Sequence, residues 1–220
     1  MGLVFRQGIF CSVVDGCAIL LDLCEGRYFT PPPDANRLLR EMEAEGSDSL
    51  PCDDAWRPMI ARGWLVERTE AEDGGVLTRW PKPDGAFVSD DHQAPRMSDM
   101  FLAFLRQAVA ARELRRFTLA TRVDRLRTAR HIGKSAMDHR RASQIARAFD
   151  TVDRILSPHD RCLPRSIALF RALLSADYSP SLVLGVRVRP FAAHAWVQLQ
   201  DAVVGDELDR VRAYRPILVL

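Results

Sequence analysis

The stretch Asp160–Leu174, DRCLPRSIALFRALL, decides how the second half of this 220-residue chain is read. Leu163, Ile167, Phe170 and Leu174 fall at i, i+4, i+7 and i+11, one continuous stripe on a helix. Pro164 suits a first turn, where its missing N–H is no loss, so the spacing predicts a helix that opens at Cys162. A cysteine in that place meets the positive end of the helix dipole and unpaired N–H groups, which stabilise a thiolate. The same amides can hold an oxyanion in acyl transfer. A buried, inert cysteine at a helix start fits the position equally well.

Working outward, Ser157-Pro158 breaks a preceding helix whose stripe is Ile145, Phe149, Val152 and Leu156. Helical patterns also cover Leu119–Arg130 and a segment capped by Ser98, with Phe101, Leu105, Ala108 and Val109 as its apolar residues. Beyond Tyr178-Ser179-Pro180 the period changes to strands: SLVLGVRVRP, HAWVQLQ, AVVGD and YRPILVL. Helices followed by a small antiparallel sheet predict an α+β domain over residues 97–220.

The first quarter has another rhythm. Ile9–Val14 and Ala18–Leu23 flank Asp15-Gly16, a hairpin signal, and Glu25-Gly26 leads to a short strand at Arg27–Thr30. Pro31 to Pro33 stop the sheet, and Pro33 suits the first turn of a helix that ends at Gly46. A second helix is expected over Asp53–Arg62, then a brief strand in RGWLVER. Three strands and two or three helices predict a winged-helix-like α+β unit over residues 1–70. Its expected core is Ile19, Leu21, Leu23, Leu38, Leu39, Ile60 and Leu65. Residues 71–96, rich in Pro, Gly and Asp, read as a linker from which Trp80 and Phe87 can dock.

Composition excludes several classes. Hydrophobic residues make up 47% and charged residues 27%, and no run approaches the roughly 18 apolar residues of a membrane span. The N-terminus lacks a basic start followed by an apolar region, so no secretory signal is expected and the cytoplasm is the expected location. Five cysteines without a C-x-x-C pair argue against a disulfide framework and a zinc site; no metal and no cofactor are expected. Residues 1–80 carry eight Arg and 14 acidic residues, a net −6, whereas 97–161 carry 14 basic and seven acidic residues, a net +7. Opposite signs suggest separate units, and the acidic first unit argues against a nucleic-acid partner.

A nucleophilic cysteine needs a base, and its histidine is normally distant in sequence. Among five histidines, His92 lies in the linker, His131 and His139 in Arg-rich helical surroundings, and His159 in the turn before Cys162. His194 opens a strand beside small Ala193 and Ala195. Asp206, with Asp209 after it, can accept the second imidazole N–H and orient the ring. A two-residue turn at Asp201-Ala202 would set Asp209 opposite His194. A three-residue loop over Gln200–Ala202, or a bulge, would make Asp206 a same-face diagonal neighbour instead, roughly 7 Å away by Cα. Spacing leaves both open.

The spacing of Cys162, His194 and Asp206 resembles the Cys-His-Asp triad of the transglutaminase-like (papain-like) cysteine protease superfamily. RCLPRSIALFRALL, LVLGVRVRPFAAHAWVQL and YRPILVL resemble more closely the leader peptidases of lasso peptide biosynthesis, the protein B family. Gly205-Asp206 stands where that family has Asn-Asp, and Gln198 where Glu is common. ILLDLCEGRYFTPPPDANRLLREM and MIARGWLVER resemble the winged precursor-recognition element of ribosomal peptide pathways. The resemblance implies a cysteine peptidase that removes a leader by attack of Cys162, with His194 as base and Asp206 as its orienter. It implies that the third strand, Arg27, Tyr28, Phe29 and Thr30, and the helix over Asp53–Arg62 clamp the leader peptide, which adds as an extra strand, with Tyr28 and Phe29 either walls of its pocket or ordinary core aromatics. A precursor peptide and an amide-forming macrocyclase are the implied partners. A transglutaminase-like amide transferase and a non-catalytic winged-helix binding protein are the alternatives.

Overall fold

A computed structural model describes residues 2–47, 49–67, 77–87, 94–129, 139–155 and 162–220. His92, His131, His159, Leu156 and Ser157-Pro158 lie outside the described residues, as does the side chain of His139.

The first part consists of β1 (Leu3–Phe5), β2 (Ile9–Val14), β3 (Cys17–Asp22), β4 (Arg27–Phe29), α1 (Pro33–Glu45), a 3-10 turn (Asp54–Trp56), α2 (Arg57–Ala61) and β5 (Leu65–Glu67). Strands β2, β3 and β4 form an antiparallel sheet with β4 at its edge, and β1 pairs with β5. Asp15 and Gly16 both take positive φ, the tight turn that matches the twist of β2 and β3. The next turn is pinned by buried Asp22: its Oδ1 accepts the backbone N–H groups of Cys24 (2.8 Å) and Glu25 (3.2 Å), and its Oδ2 accepts Arg6 at 2.9 Å. That turn sets where β4 begins. The helix expected over Asp53–Arg62 is split, because Pro58 has no N–H for the Asp54 carbonyl and a continuous α-helix cannot run through it.

The expected N-terminal core needs correction. Strand alternation sends Ala18 and Leu20 towards α1, where they join Ile9, Cys11, Leu38, Leu39, Met42, Trp56, Met59 and Leu65. Ile19, Leu21 and Leu23 point the other way and share a buried core with helices and strands of the second part. Ile60 is 44% exposed on α2, and its neighbour Met59 fills the core in its place.

The second part contains β6 (Gly85–Ala86), α3 (Met97–Arg116), α4 (Leu119–Ala129), α5 (His139–Ile155), α6 (Cys162–Leu174), β7 (Ser181–Val188), β8 (Phe191–Leu199), β9 (Ala202–Val204), α7 (Leu208–Arg212) and β10 (Arg215–Val219). The sheet order is β10-β7-β8-β9-β6, antiparallel except for the β6–β9 pair. Helix α6 lies between this sheet and α3 and α5, with Ile167, Phe170, Leu173 and Leu174 buried. The apolar face expected on α3 is the wrong one. Phe101 is 65% exposed, and Leu105, Ala108 and Val109 are exposed as well, while Ala103, Gln107 and Ala110 face inward. Small side chains at the contact let helix axes approach closely, so α3 turns its short residues to the core. Glu113 of α3 accepts Arg122 of α4 (2.7 Å) and Arg171 of α6 (2.9 Å), tying three helices together.

Within the expected linker, residues 77–87 are stitched to both parts. The Thr78 N–H donates to the Cys11 carbonyl (2.8 Å) and its hydroxyl to the Ile217 carbonyl (2.7 Å), while β6 extends the five-stranded sheet. No helix among the described residues is long and apolar enough to cross a membrane.

Candidate active site

Cys162 stands at the first position of α6, carried there by the buried stripe of that helix. The helix is fixed to β8 by Ser166, whose buried hydroxyl donates to the Ala195 carbonyl at 2.7 Å. On β8 the residue before Ala195 is His194, so this one bond sets the height of the thiol against the imidazole. β9 pairs only with Val197 to Leu199, which leaves the earlier part of β8 open on that side for the start of α6. The start of α6 thereby sets the Cys162 thiol against the His194 imidazole and the Ala195 and Leu163 N–H groups, all of which favour its charged form.

His194 Nε2 lies 2.7 Å from Asp206 Oδ2. With Nε2 engaged, Nδ1 is the ring nitrogen left for the thiol. The β8–β9 register differs from both hairpins weighed for the sequence. Leu199 pairs with Ala202, so the turn is Gln200-Asp201, with Gln200 at φ 53°. Continued regularly, this ladder would set Asp206 opposite Ala195 and on the face away from His194. Gly205 prevents it: at φ 63° it ends β9 and turns the chain, bringing Asp206 back to the imidazole. A Cβ at 205 would also stand 3.2 Å from Arg165 Nη2. Asp209 is exposed in the first turn of α7.

The charges reinforce one another. Burial disfavours the Cys162 thiolate, but the hydrogen bond and charge of His194, with the N–H groups of Ala195 and Leu163, outweigh it and hold the thiol below its usual value. Burial likewise pushes His194 down, yet hydrogen bonds to Asp206 and Cys162 and the charges of both raise it to about 9. Burial raises Asp206, while His194, the Glu207 N–H and Arg165 lower it further than burial lifts it. The shifts favour a thiolate beside an imidazolium that a carboxylate steadies, a combination suited to nucleophilic attack and to returning a proton to a leaving group.

Several supporting residues escaped the sequence reading. Arg165 donates from Nη2 to Asp150 (2.6 Å) and from Nε to Asp153, anchoring the first turn of α6 to α5 beside Gly205. The rings of Tyr214 and Trp196 flank His194 at 5.2 and 6.2 Å between centroids. Gln198 Oε1 accepts the indole N–H groups of Trp80 (3.0 Å) and Trp196 (3.2 Å), which locks the aromatic wall. A Cβ at Gly185, which pairs with His194, would enter the Trp196 ring at 2.6 Å. Arg165 and Ser166 lie inside the RCLPRS motif, and Gly205 stood out only where the family has Asn before its Asp.

The four residues expected to contact a leader divide between two places. Arg27, Phe29 and Thr30 line a groove of about 650 Å³ with Glu25, Pro31, Pro32, Arg62 and Trp64. Phe29 and Trp64 pack with centroids 4.2 Å apart, and Arg27 and Arg62 lie over these rings at 5.9 and 5.1 Å. Tyr28 faces the opposite way, into the second part of the chain. Among the described residues no group of three or more His, Cys, Asp or Glu side chains could hold a metal ion.

The Transglutaminase-like superfamily matches residues 104–219, which include Cys162, His194 and Asp206. Over 45 residues the chain is 44% identical to the Microcin J25-processing protein McjB of Escherichia coli. That stretch is 20% of this chain, and the match spans 22% of the relative's length. No solved structure matches the chain.

Proposed function

Because this chain belongs to the transglutaminase-like superfamily, we propose that it is a cysteine peptidase of lasso peptide biosynthesis, cleaving the leader from a ribosomally made precursor peptide. The observation that carries this reading is the single imidazole shared by Cys162 and Asp206, with 2.7 Å from His194 Nε2 to the carboxylate. The partial likeness to a microcin-processing protein supports the choice of substrate class.

In this mechanism the Cys162 thiolate attacks the scissile carbonyl, and first-turn N–H groups of α6 oppose the charge that develops on its oxygen. The C–N bond breaks as His194 gives its proton to the leaving amine, leaving a thioester on Cys162. Water, deprotonated by the now neutral His194, then releases the carboxylate and frees the thiol. Asp206 keeps the ring oriented and stabilises its charged form. The β4 edge and the groove beside it receive the leader as an added strand in a winged-helix-like recognition module over residues 1–70, with a connecting segment over 71–96 and the peptidase domain over 97–220. An amide-forming macrocyclase is the partner that would use the freed amine.

The test is incubation of the purified chain with candidate precursor peptides, read by mass. Wild type cuts at one bond, and Cys162→Ala retains binding but loses cleavage by at least about 10³-fold. Equal cleavage by Cys162→Ala removes the assignment. If an added amine is incorporated in preference to water, the enzyme is an amide transferase instead.

A further inference from the structure

Tyr28 is the residue of β4 that turns away from the groove. Strand alternation sends it to the face opposite Arg27 and Phe29, where it packs on the same apolar core as Leu163, the residue after Cys162. Its ring meets Phe191 edge-on, with centroids 5.7 Å apart. Phe191 opens β8 three residues before His194 and is 52% exposed. Burial, followed by the charge of Cys162, pushes the Tyr28 phenol up to about 12, so it keeps its proton at neutral pH while lying within electrostatic reach of the thiolate. An uncharged ring from one part of the chain thus meets a half-exposed ring from the other, beside the nucleophile. Tyr28 belongs to the β4 edge and Phe191 to the strand of His194, so this ring pair joins the edge that would take a leader to the strand that carries the imidazole.

We propose that Tyr28 and Phe191 form a subsite for an apolar side chain of the bound peptide, on the leader side of the scissile bond and within a few residues of it. The subsite rests on the peptidase reading of Cys162. It makes β4 a strand with two functions: Arg27 and Phe29 face a groove that holds the leader, and Tyr28 tests the sequence that enters the cleft. Aromatic walls of this kind gain from apolar contact and from ring packing, and they disfavour a charged side chain that would lose its water.

The test uses acyl-tripeptidyl chloromethyl ketones in which each of the three positions in turn carries Phe, Leu, Ala or Asp. The thiolate displaces chloride and leaves a thioether on Cys162, read by mass. Each rate is divided by the same protein's rate with iodoacetamide, which corrects for thiolate content. At one position Phe and Leu react about tenfold faster than Asp, the scale of discrimination expected of an apolar pocket. Tyr28→Ala and Phe191→Ala each bring that ratio close to one, whereas Tyr28→Phe, which keeps the ring, preserves it. Should Tyr28→Ala fail to fold, Phe191→Ala at its half-exposed position gives the answer alone. A flat profile in wild type, or a preference that survives Phe191→Ala, overturns the subsite while leaving the peptidase reading intact. A Cys162 that no reagent labels overturns both.

Discussion

The edge of β8 and the edge of β4 are built in opposite ways. At β8 the candidate site is braced by directed hydrogen bonds: Ser166 to Ala195, His194 to Asp206, and both indoles to Gln198. At β4 the groove is a stack of half-buried rings, Phe29 and Trp64, under exposed guanidinium groups, Arg27 and Arg62. Hydrogen bonds fix distance and angle, whereas stacked side chains slide and re-pack at little cost. Bond making loses orders of magnitude to a displacement of about 1 Å, and recognition of an extended peptide does not.

The sharpest way to break this contrast is at Asp206. Asp206→Asn keeps the shape and removes the charge that steadies the imidazolium, and kcat is expected to fall by about 10²- to 10⁴-fold. The pH profile supplies the check. The pair is active while His194 is protonated, so wild-type activity declines as pH rises through about 9. Removing the carboxylate lowers the His194 pKa, and the alkaline limb moves to lower pH. A limb that stays in place would mean that Asp206 does not govern the ring.

Gly205 comes next. Its left-handed φ costs an L residue about 1–2 kcal/mol, and a Cβ would press on Arg165. Gly205→Ala is expected to lose roughly that much stability in chemical unfolding, together with a tenfold or greater loss of kcat as Asp206 drifts. The smallest effect belongs to the groove. Trp64→Ala raises KM for a leader-bearing peptide about tenfold with kcat unchanged, the mark of lost ground-state binding, seen in steady-state kinetics. A fall in kcat instead would place the groove within the chemistry.

The place of Cys162 was legible from a strong helical stripe, whereas His194 and Asp206 were tied to it only by the resemblance of their spacing to a Cys-His-Asp family. Leu163, Ile167, Phe170 and Leu174 leave little choice about where α6 starts, and hence where Cys162 stands. The aim of Asp206 was not legible, since it depends on one left-handed residue and on a turn placed at Gln200-Asp201, and pairing arithmetic allowed neighbouring registers. The α3 face was misread because large apolar side chains outvote small ones in a periodicity, yet Ala103 and Ala110 make the close contact. β3 was half read: its alternation was visible, but which neighbour each face would meet was not.

That second face of β3 bears on how the chain could be divided. Ile19, Leu21 and Leu23 are almost wholly withdrawn from water in a core shared with elements that come much later in sequence, and Thr78 binds both sheets. Cutting the backbone between Glu67 and Leu77 would not yield two indifferent proteins. Each fragment would present the other with a preformed apolar seat, so the contact that is folding in one chain would become affinity between two, and their joint activity would depend on concentration.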